Sequence, residues 1–229
     1  MLQSKKILAF YNNLKIPEGL PDGVGVLNPF TNDKVLKFNA LFYQKYYTDN
    51  LKRTYLIGIN PGRFGAGVTG IPFTDPIRLQ EVLGIENDLD KKPELSSKFI
   101  FDLIDNIGSP ELFFRSFHFT SVSPLGFVKN GKNLNYYDQK DLQDHLEPFM
   151  VNALWQQIKT IDTNRDIAFC LGQGKNFKYL EKLNRKHGFF DRVEPLPHPR
   201  WVMQYRLKRK DEFIALYGEK LHLHLNDLI

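Results

Sequence analysis

Apolar and polar positions repeat with two spacings along the chain, and the two spacings alternate. Short apolar runs predict strands, and longer segments with apolar residues three or four positions apart predict helices. The predicted strands are 54–59, 113–121, 167–172 and 190–196. The predicted helices are 1–16, 33–50, 76–91, 95–107, 138–161 and 175–187, with a Pro- and Gly-rich surface loop at 17–32. Because strands alternate with helices, we expect a three-layer α/β sandwich with a mainly parallel four-stranded sheet between helices.

Composition points to an ordinary folded protein. The chain has 229 residues, of which 42% are apolar and 25% charged, and no repeat or long linker divides it, so we expect one domain over residues 1–229. No apolar run approaches the ~20 residues of a membrane span, and the N-terminal segment lacks a secretory cleavage signature. The single cysteine, Cys170, lies in an apolar run and fits a buried position in a reducing compartment. We therefore expect an intracellular protein with no membrane partner, in the cytoplasm or nucleoid if it is bacterial.

Charge favours a polyanionic partner without requiring one. Lysine and arginine number 31 against 26 acidic residues, and the net charge is +5. A modest basic excess is common among nucleic-acid-binding proteins, but many basic proteins bind no nucleic acid. The charge alone therefore leaves the partner open.

The most unusual segment follows the first predicted strand and reads GINPGRFGAGVTGIPFTDP. A glycine-rich loop at the carboxyl end of a buried strand offers backbone N–H groups and few side chains, and open α/β sheets bind ligands at that edge. The loop lacks the Gly-Lys-Ser/Thr ending of a phosphate-binding loop and the spacing of a dinucleotide fingerprint. These features predict a flat, polar, uncharged ligand.

Two further strands end in polar loops of this kind. The second predicted strand leads to Ser121 and Ser123, and the fourth leads to His198. Because the carboxyl ends of parallel strands meet at one edge of the sheet, the three loops can build one pocket with Asn60 and Phe73.

Three segments resemble, in order, the motifs of the single-strand-selective monofunctional uracil-DNA glycosylases. The first, GINPGRFGAGVTGIPF, resembles the family pattern Gly-Met-Asn-Pro-Gly, then Phe-Gly, then Thr-Gly-Val-Pro-Phe. The second, SPLGFVKNGKNLNYYD, resembles Cys-Pro-Leu followed by Gly-Lys-Asn-Leu. The dipeptide His198-Pro199 resembles the start of His-Pro-Ser-Pro-Arg, and the matches span roughly residues 28–210. The chain is most similar to a bacterial side-branch of that family.

The resemblance implies a uracil-DNA glycosylase-like fold and a base excision repair enzyme. Such an enzyme flips a uracil or a related deaminated or oxidised base out of DNA and hydrolyses its N-glycosidic bond. No lysine lies within the most specific motifs, so we expect hydrolysis without strand cleavage. The resemblance implies no metal or other cofactor, and we expect a monomer that binds single- or double-stranded DNA.

The resemblance also implies roles for individual residues. Asn60 matches the residue that positions the attacking water, and His198 matches the histidine that donates a hydrogen bond to the base oxygen. Phe73 matches the aromatic residue that stacks on the flipped base. The remaining residues expected to bind the base are Ile59, Gly62, Phe64 and Ser121.

The chain departs from the family pattern at two places. Ser121 replaces an asparagine that reads the uracil edge, and one hydroxyl cannot present a donor and an acceptor in one plane. We therefore expect looser discrimination between bases. The segment after His198 is shortened, so that Arg200 is expected to fill the space of the extruded base, with Trp201 or Met203 as an apolar wedge.

Three basic residues close to the C-terminus complete the expected DNA-binding set: Lys208, Arg209 and Lys210. Contacts to backbone phosphates and a solvated helix face are equally consistent with such a run. Asp75, close to Phe73, is expected to cap the following helix rather than to act as a base. The pair His222 and His224 is too small a set for a metal site.

Two other functions remain compatible with these residues. One is a DNA-binding module without catalysis that keeps a base pocket. The other is an α/β enzyme that acts on free nucleosides, which would not need the basic segment. The glycine-containing loop 171–175 lacks a full nucleotide-binding motif and is expected only to end the third strand.

Overall fold

Two sheets organise the part of the chain that the computed structural model describes, residues 1–226. The strands are β1 (Val24–Leu27), β2 (Thr54–Gly58), β3 (Phe117–Ser121), β4 (Gly126–Lys129), β5 (Lys132–Leu134), β6 (Ile167–Leu171) and β7 (Arg192–Leu196). The larger sheet has the order β3-β2-β6-β7, and each neighbouring pair is parallel. The predicted four-stranded parallel sheet is confirmed. Residues 227–229, the end of the expected 1–229 domain, lie outside the described residues.

Helices cover both faces of the larger sheet. They are α1 (Gln3–Asn12), α2 (Asp33–Tyr46), α3 (Ala66–Thr69), α4 (Pro76–Glu81), α5 (Leu95–Ile107), α6 (Pro110–Ser116), α7 (Lys140–Ile161), α8 (Lys175–His187), α9 (Pro199–Tyr205) and α10 (Lys210–His222). Short 3₁₀ turns occupy Pro29–Thr31 and Leu207–Arg209. The bounds of α5 and α8 agree with the sequence prediction.

The side chains of β2 alternate between two apolar cores. Leu56 packs with the apolar residues of α1, α2, α5, α6 and α10, whereas Tyr55 and Ile57 pack with those of α7 and α8. This alternation makes the sheet the middle of three layers, as predicted. Cys170 is fully buried in the second core, and burial raises the pKa of its thiol to about 12, which makes it an inert core residue. Among the described helices, none combines the length and the apolar composition needed to cross a bilayer.

A small antiparallel sheet, β1-β4-β5, was not predicted. The segment 17–32, expected to be a surface loop, contains β1, which pairs with β4. Strands of three or four residues are too short to produce a recognisable alternation in the sequence. The β4–β5 hairpin turns at Asn130 and Gly131, whose φ angles of 50° and 71° fit a tight two-residue turn.

Two predicted elements have the wrong extent. The aromatic-rich segment 113–121 begins as helix α6, because Ser109 accepts a hydrogen bond from the backbone N–H of Leu112 and Pro110 occupies the first helical position. The strand starts only at Phe117. The predicted helix 76–91 ends at α4, and Gly84, with a φ of 68°, follows it in a left-handed turn.

Candidate active site

The loops that follow β2, β3 and β7 line one cleft of about 730 Å³ at the carboxyl edge of the larger sheet. The predicted site residues on its wall are Ile59, Asn60, Gly62, Phe64, Phe73, Ser121, His198, Arg200 and Trp201. The β4–β5 hairpin supplies a further part of the wall through Lys132 and Asn133. Predicted site residues as distant in the sequence as Ile59 and Trp201 therefore share one cleft.

Phe73 lies directly above the end of β2 because a glycine occupies position 58. A Cβ atom on Gly58 would lie 3.0 Å from Cζ of Phe73 and 3.4 Å from Oγ of Ser121. Phe73 has a left-handed backbone, with a φ of 55°, which costs energy for a residue with a side chain. Its half-buried ring packs against Phe119, with the ring centroids 5.1 Å apart. The glycine thus creates the space in which one face of an aromatic ring borders the cleft.

A buried polar network holds the Phe73 turn in this conformation. The hydroxyl of Thr69 donates to the carbonyl of Thr74, at 2.7 Å. The carboxylate of Asp75 accepts from the backbone N–H groups of Arg78, at 2.8 Å, and Glu94, at 2.9 Å. Asp75 is fully buried and caps α4, as predicted. Its oxygens are occupied by structural hydrogen bonds, so this carboxylate serves the fold and not the cleft.

The side-chain amide of Asn60 is fixed by the backbone at the end of β5 and just after it. Its Oδ1 accepts from the N–H of Tyr136, at 3.1 Å, and its Nδ2 donates to the carbonyl of Leu134, at 3.3 Å. These two bonds define which end of the amide is the oxygen and leave one lone pair of Oδ1 free. The amide can therefore orient one further donor in the cleft.

The β4–β5 hairpin also supports the loop that carries Asn60. A Cβ atom on Gly126 would lie 2.3 Å from the carbonyl oxygen of Pro61, so only glycine permits this contact. The side-chain oxygen of Asn133 accepts from the backbone N–H of Arg63, at 3.2 Å. Sequence reasoning did not identify Asn133 or Tyr136 as part of the site. The only available signal was the GKNL motif within the second resembling segment.

His198 is both the N-cap of α9 and a residue of the cleft wall. Its Nδ1 accepts from the backbone N–H of Arg200, at 3.1 Å, so the proton of the neutral ring lies on Nε2. Burial, with a smaller contribution from the Arg200 charge, lowers the pKa of His198 to about 4. At neutral pH the ring is therefore uncharged, with Nε2–H as its available donor.

Ser121 lies at the end of β3 on the same wall. Within residues 1–226 its hydroxyl makes no hydrogen bond, and its Oγ faces the space left open above Gly58. The neighbouring hydroxyl of Thr120 instead donates to Oε1 of Gln157, at 2.7 Å. Ser121 is thus the available side-chain hydroxyl at this strand end.

Comparison with known proteins assigns the chain to a family. The model of the uracil DNA glycosylase superfamily matches residues 44–222. The chain belongs to the uracil DNA glycosylase superfamily. A crystal structure of wild-type SMUG2 from Pedobacter heparinus is similar over 97% of this chain and 98% of that chain, with 39% sequence identity and a TM-score of 0.94. The similarity implied by the sequence motifs and the α/β sandwich of this superfamily are both confirmed.

The residues predicted to bind DNA fall into two groups. Arg200 and Trp201 border the cleft at the start of α9, and Met203, the alternative wedge, is only 6% exposed in the core. The prediction of Met203 as a wedge is therefore wrong, because its side chain lies on the inner face of α9.

The second group, 208–210, does not line the cleft. In this second group, Arg209 forms an ion pair with Glu212. Lys208 is exposed on the 3₁₀ turn before α10, whereas the Nζ of Lys210 lies 2.7 Å from a carboxylate oxygen of Asp102. The role of this group as phosphate ligands stays a prediction. The alternative, a solvated helix face, is consistent with the exposure of Lys208 and with the ion pairs of Arg209 and Lys210.

The loop 171–175 ends β6, as expected, and also borders a smaller cavity of about 270 Å³ beside the cleft. Ile59 and His198 line both cavities. In the described part of the chain, no group of three or more His, Cys, Asp or Glu side chains is arranged to hold a metal ion.

Proposed function

We propose that this member of the superfamily is a monofunctional DNA glycosylase that excises uracil or a related deaminated or oxidised base in base excision repair. The observation that carries the proposal is the sharing of one cleft by Asn60, Phe73 and His198. A flipped base needs a stacking surface, a donor for its carbonyl oxygen and an oriented water, and these three residues can supply them.

The stacking surface is the ring of Phe73. An aromatic ring borders the cleft there, beside the hydroxyl of Ser121. A base stacked on this ring would turn its polar edge towards the end of β3, where Ser121 can donate or accept one hydrogen bond. A single hydroxyl supports acceptance of several bases rather than strict selection of uracil.

Bond cleavage in this proposal is hydrolytic. The C1′–N bond breaks, its electron pair goes to the departing base, and the sugar becomes oxocarbenium-like. The Nε2–H of neutral His198 donates to the base oxygen as negative charge develops. A preorganised donor of this type contributes about 100- to 1,000-fold in rate.

Water completes the reaction at C1′. The free lone pair of Asn60 Oδ1 accepts a hydrogen bond from this water, and the water oxygen adds to C1′ while its proton leaves to solvent. An amide is a weak base, but a cationic sugar requires orientation of the water more than its deprotonation. The departing base anion takes up a proton from solvent, and the products are a free base and an abasic site.

One lysine of the second resembling segment lies on the cleft wall. Lys132 occupies an exposed position on β5. A lysine that forms a Schiff base is typically desolvated in an apolar pocket or placed beside another cation, and an exposed position does not provide that desolvation. We therefore keep the hydrolytic mechanism, and failure to trap an adduct with DNA by borohydride is the expected result.

An oligonucleotide nicking assay tests the proposal. Single- and double-stranded DNA with uracil, hydroxymethyluracil, hypoxanthine or xanthine is incubated with wild type and with Asn60→Ala, then treated with alkali. Alkali-dependent cleavage by the wild type alone is expected. DNA binding without cleavage of any substrate would instead identify a binding module, and activity on free nucleosides without DNA binding would identify a nucleoside hydrolase.

A further inference from the structure

Exposed aromatic rings gather at the mouth of the cleft. Phe64 is 40% exposed, Trp201 is 39% exposed and Tyr205 is 60% exposed, and all three border the cleft. Single exposed apolar side chains elsewhere on a protein are ordinary, but a set on the rim of one site indicates a binding surface. Trp201 and Tyr205 lie on α9, whereas Phe64 lies on the loop after β2, so the rim has two separate aromatic positions.

Phe64 is held outward by a well-connected turn. The N–H groups of Gly65 and Gly67 both donate to the carbonyl of Gly62, at 3.3 and 2.9 Å, and the N–H of Arg63 donates to Asn133. Burying a phenylalanine side chain stabilises the folded state. Because the turn is fixed, the ring of Phe64 stays exposed and does not contribute this stabilisation in full.

Two cations lie next to the Phe64 ring. The guanidinium carbon of Arg63 is 4.7 Å from the ring centroid, and Nζ of Lys92 is 6.0 Å from it. Arg63 also donates to the carbonyl of Gly131, at the tip of the β4–β5 hairpin. An exposed ring with flanking cations matches the chemistry of surfaces that bind unpaired nucleotides, where rings stack on bases and cations meet phosphates.

We propose that Phe64 is a second base-stacking subsite, at the rim of the cleft, for an unpaired base next to the flipped nucleotide. Arg63 and Lys92 then contact the adjoining phosphate. The inference rests on the proposed function, because it takes DNA as the ligand. The inference also changes the role of Phe64. The sequence predicts that its ring binds the target base, but the ring lies on the rim of the cleft, whereas the ring of Phe73 is half-buried.

A thermodynamic cycle between protein and DNA tests this subsite. The DNA is a single-stranded oligonucleotide with 2′-fluoro-deoxyuridine at the target, which resists cleavage. In two further oligonucleotides an abasic tetrahydrofuran unit replaces the base on the 5′ or the 3′ side of the target. Dissociation constants are measured for wild type, Phe64→Leu and Phe64→Tyr. The remote variant Leu41→Ala, at an exposed position of α2, is the control.

For one of the two neighbouring bases we expect strong energetic coupling to the Phe64 side chain. Loss of that base weakens binding to the wild type about tenfold, and has little effect on binding to Phe64→Leu. Phe64→Tyr and Leu41→Ala behave as the wild type. If Phe64→Leu weakens binding by the same factor whether or not the neighbouring base is present, for both the 5′ and the 3′ neighbour, the subsite is overturned.

Excision under saturating DNA separates this inference from the proposed function. With a cleavable uracil oligonucleotide, Phe64→Leu should need about tenfold more DNA than the wild type to reach its half-maximal excision rate. A lower rate at saturation, with binding unchanged, would place Phe64 on the target base instead. Absence of excision by the wild type would contradict the proposed function, while the binding cycle would still report on the subsite.

Discussion

The side-chain oxygen of Asn60 accepts a hydrogen bond from the backbone N–H of Tyr136, 76 residues further along the chain, at 3.1 Å. The amide that would orient water is therefore positioned by the segment after β5 and not by its own loop alone. A backbone donor cannot be removed by a side-chain substitution, but the hairpin that leads to it can be loosened. Under the proposed mechanism, the β4–β5 hairpin therefore helps to position the residue that orients the water.

Replacing Asn133 by alanine should slow excision without unfolding the protein. The substitution removes the acceptor for the backbone N–H of Arg63 and frees the loop that carries Asn60. A lost hydrogen bond of about 1 kcal/mol corresponds to a rate reduction of about fivefold. Single-turnover excision measures the effect, with thermal unfolding as the check on stability.

The matched control for this experiment is Asn12→Ala, at an exposed asparagine at the end of α1. It should leave the rate unchanged. Equal rates for Asn133→Ala and the wild type would show that the loop holds Asn60 without the hairpin.

Replacing Gly58 by alanine should displace Phe73. The new Cβ would lie 3.0 Å from Cζ of Phe73, and overpacking of this kind costs about 1–3 kcal/mol. Because the ring can shift into the cleft, we expect weaker binding of the target nucleotide and slower excision. Dissociation constants and single-turnover rates measure both effects.

Gly218→Ala is the control for added bulk. This glycine lies inside α10, where alanine favours the helix and the nearest neighbour is the exposed side chain of Asn106. A Gly58→Ala protein with wild-type binding and rate would contradict the role of Gly58 in seating Phe73.

Excision should have no pH break near 6.5 that belongs to His198. Its pKa is lowered to about 4 by burial, so the neutral donor persists down to about pH 5 and is lost as the pH approaches 4. Protonation at Nδ1 would also remove the acceptor for the Arg200 N–H. A rate profile from pH 4 to pH 8, with His198→Gln in parallel, tests this. A break near 6.5 present only in the wild type would contradict it.

Stability should fall in the same acidic range. Because the native pKa of His198 lies below its value in the unfolded chain, the unfolded state binds more protons between about pH 6.5 and 4. Fully buried His118, with a pKa lowered to about 3 mainly by burial, acts in the same direction. Denaturant unfolding should therefore give a free energy of unfolding that is highest above pH 6.5 and decreases below it.

Replacing Ser121 by asparagine should raise the preference for uracil. An amide presents a donor and an acceptor in one plane, whereas the serine hydroxyl offers a single bond. An unmade hydrogen bond costs about 1–3 kcal/mol, enough to change a preference about 5- to 150-fold. The measurement is the ratio of excision rates for uracil and hypoxanthine, with Ser121→Ala as the control. An unchanged ratio in both variants would exclude Ser121 as the reader of the base.

The parallel sheet and its strand-end loops could be predicted because long apolar periodicities and glycine-rich strand ends leave clear marks in the sequence. The bounds of α5 match because Glu94 caps it and Gly108 ends it. Segment 113–121 was misread, since a run of alternating aromatic residues fits a strand and a short helix equally well. The burial of Met203 could not be predicted, because the face of α9 that packs on the core is set by tertiary contacts.

The hairpin behind Asn60 could not be predicted for a different reason. Its strands are three and four residues long, and the bonds that matter come from backbone groups of Leu134 and Tyr136, which carry no residue-specific signal. Their positions after predicted strands and the resemblance to the family motifs identified Asn60 and His198 as candidates. Only the fold reveals what orients them.

The central claim is that Asn60 and His198 act on the reaction and not on DNA affinity. Single-turnover excision from a uracil oligonucleotide and equilibrium binding to its 2′-fluoro analogue are measured for the wild type, Asn60→Ala and His198→Ala. We predict that each variant loses at least about 100-fold in rate and changes the dissociation constant less than about threefold. Wild-type rates in both variants, or rate losses matched by equal losses in binding, would contradict the account.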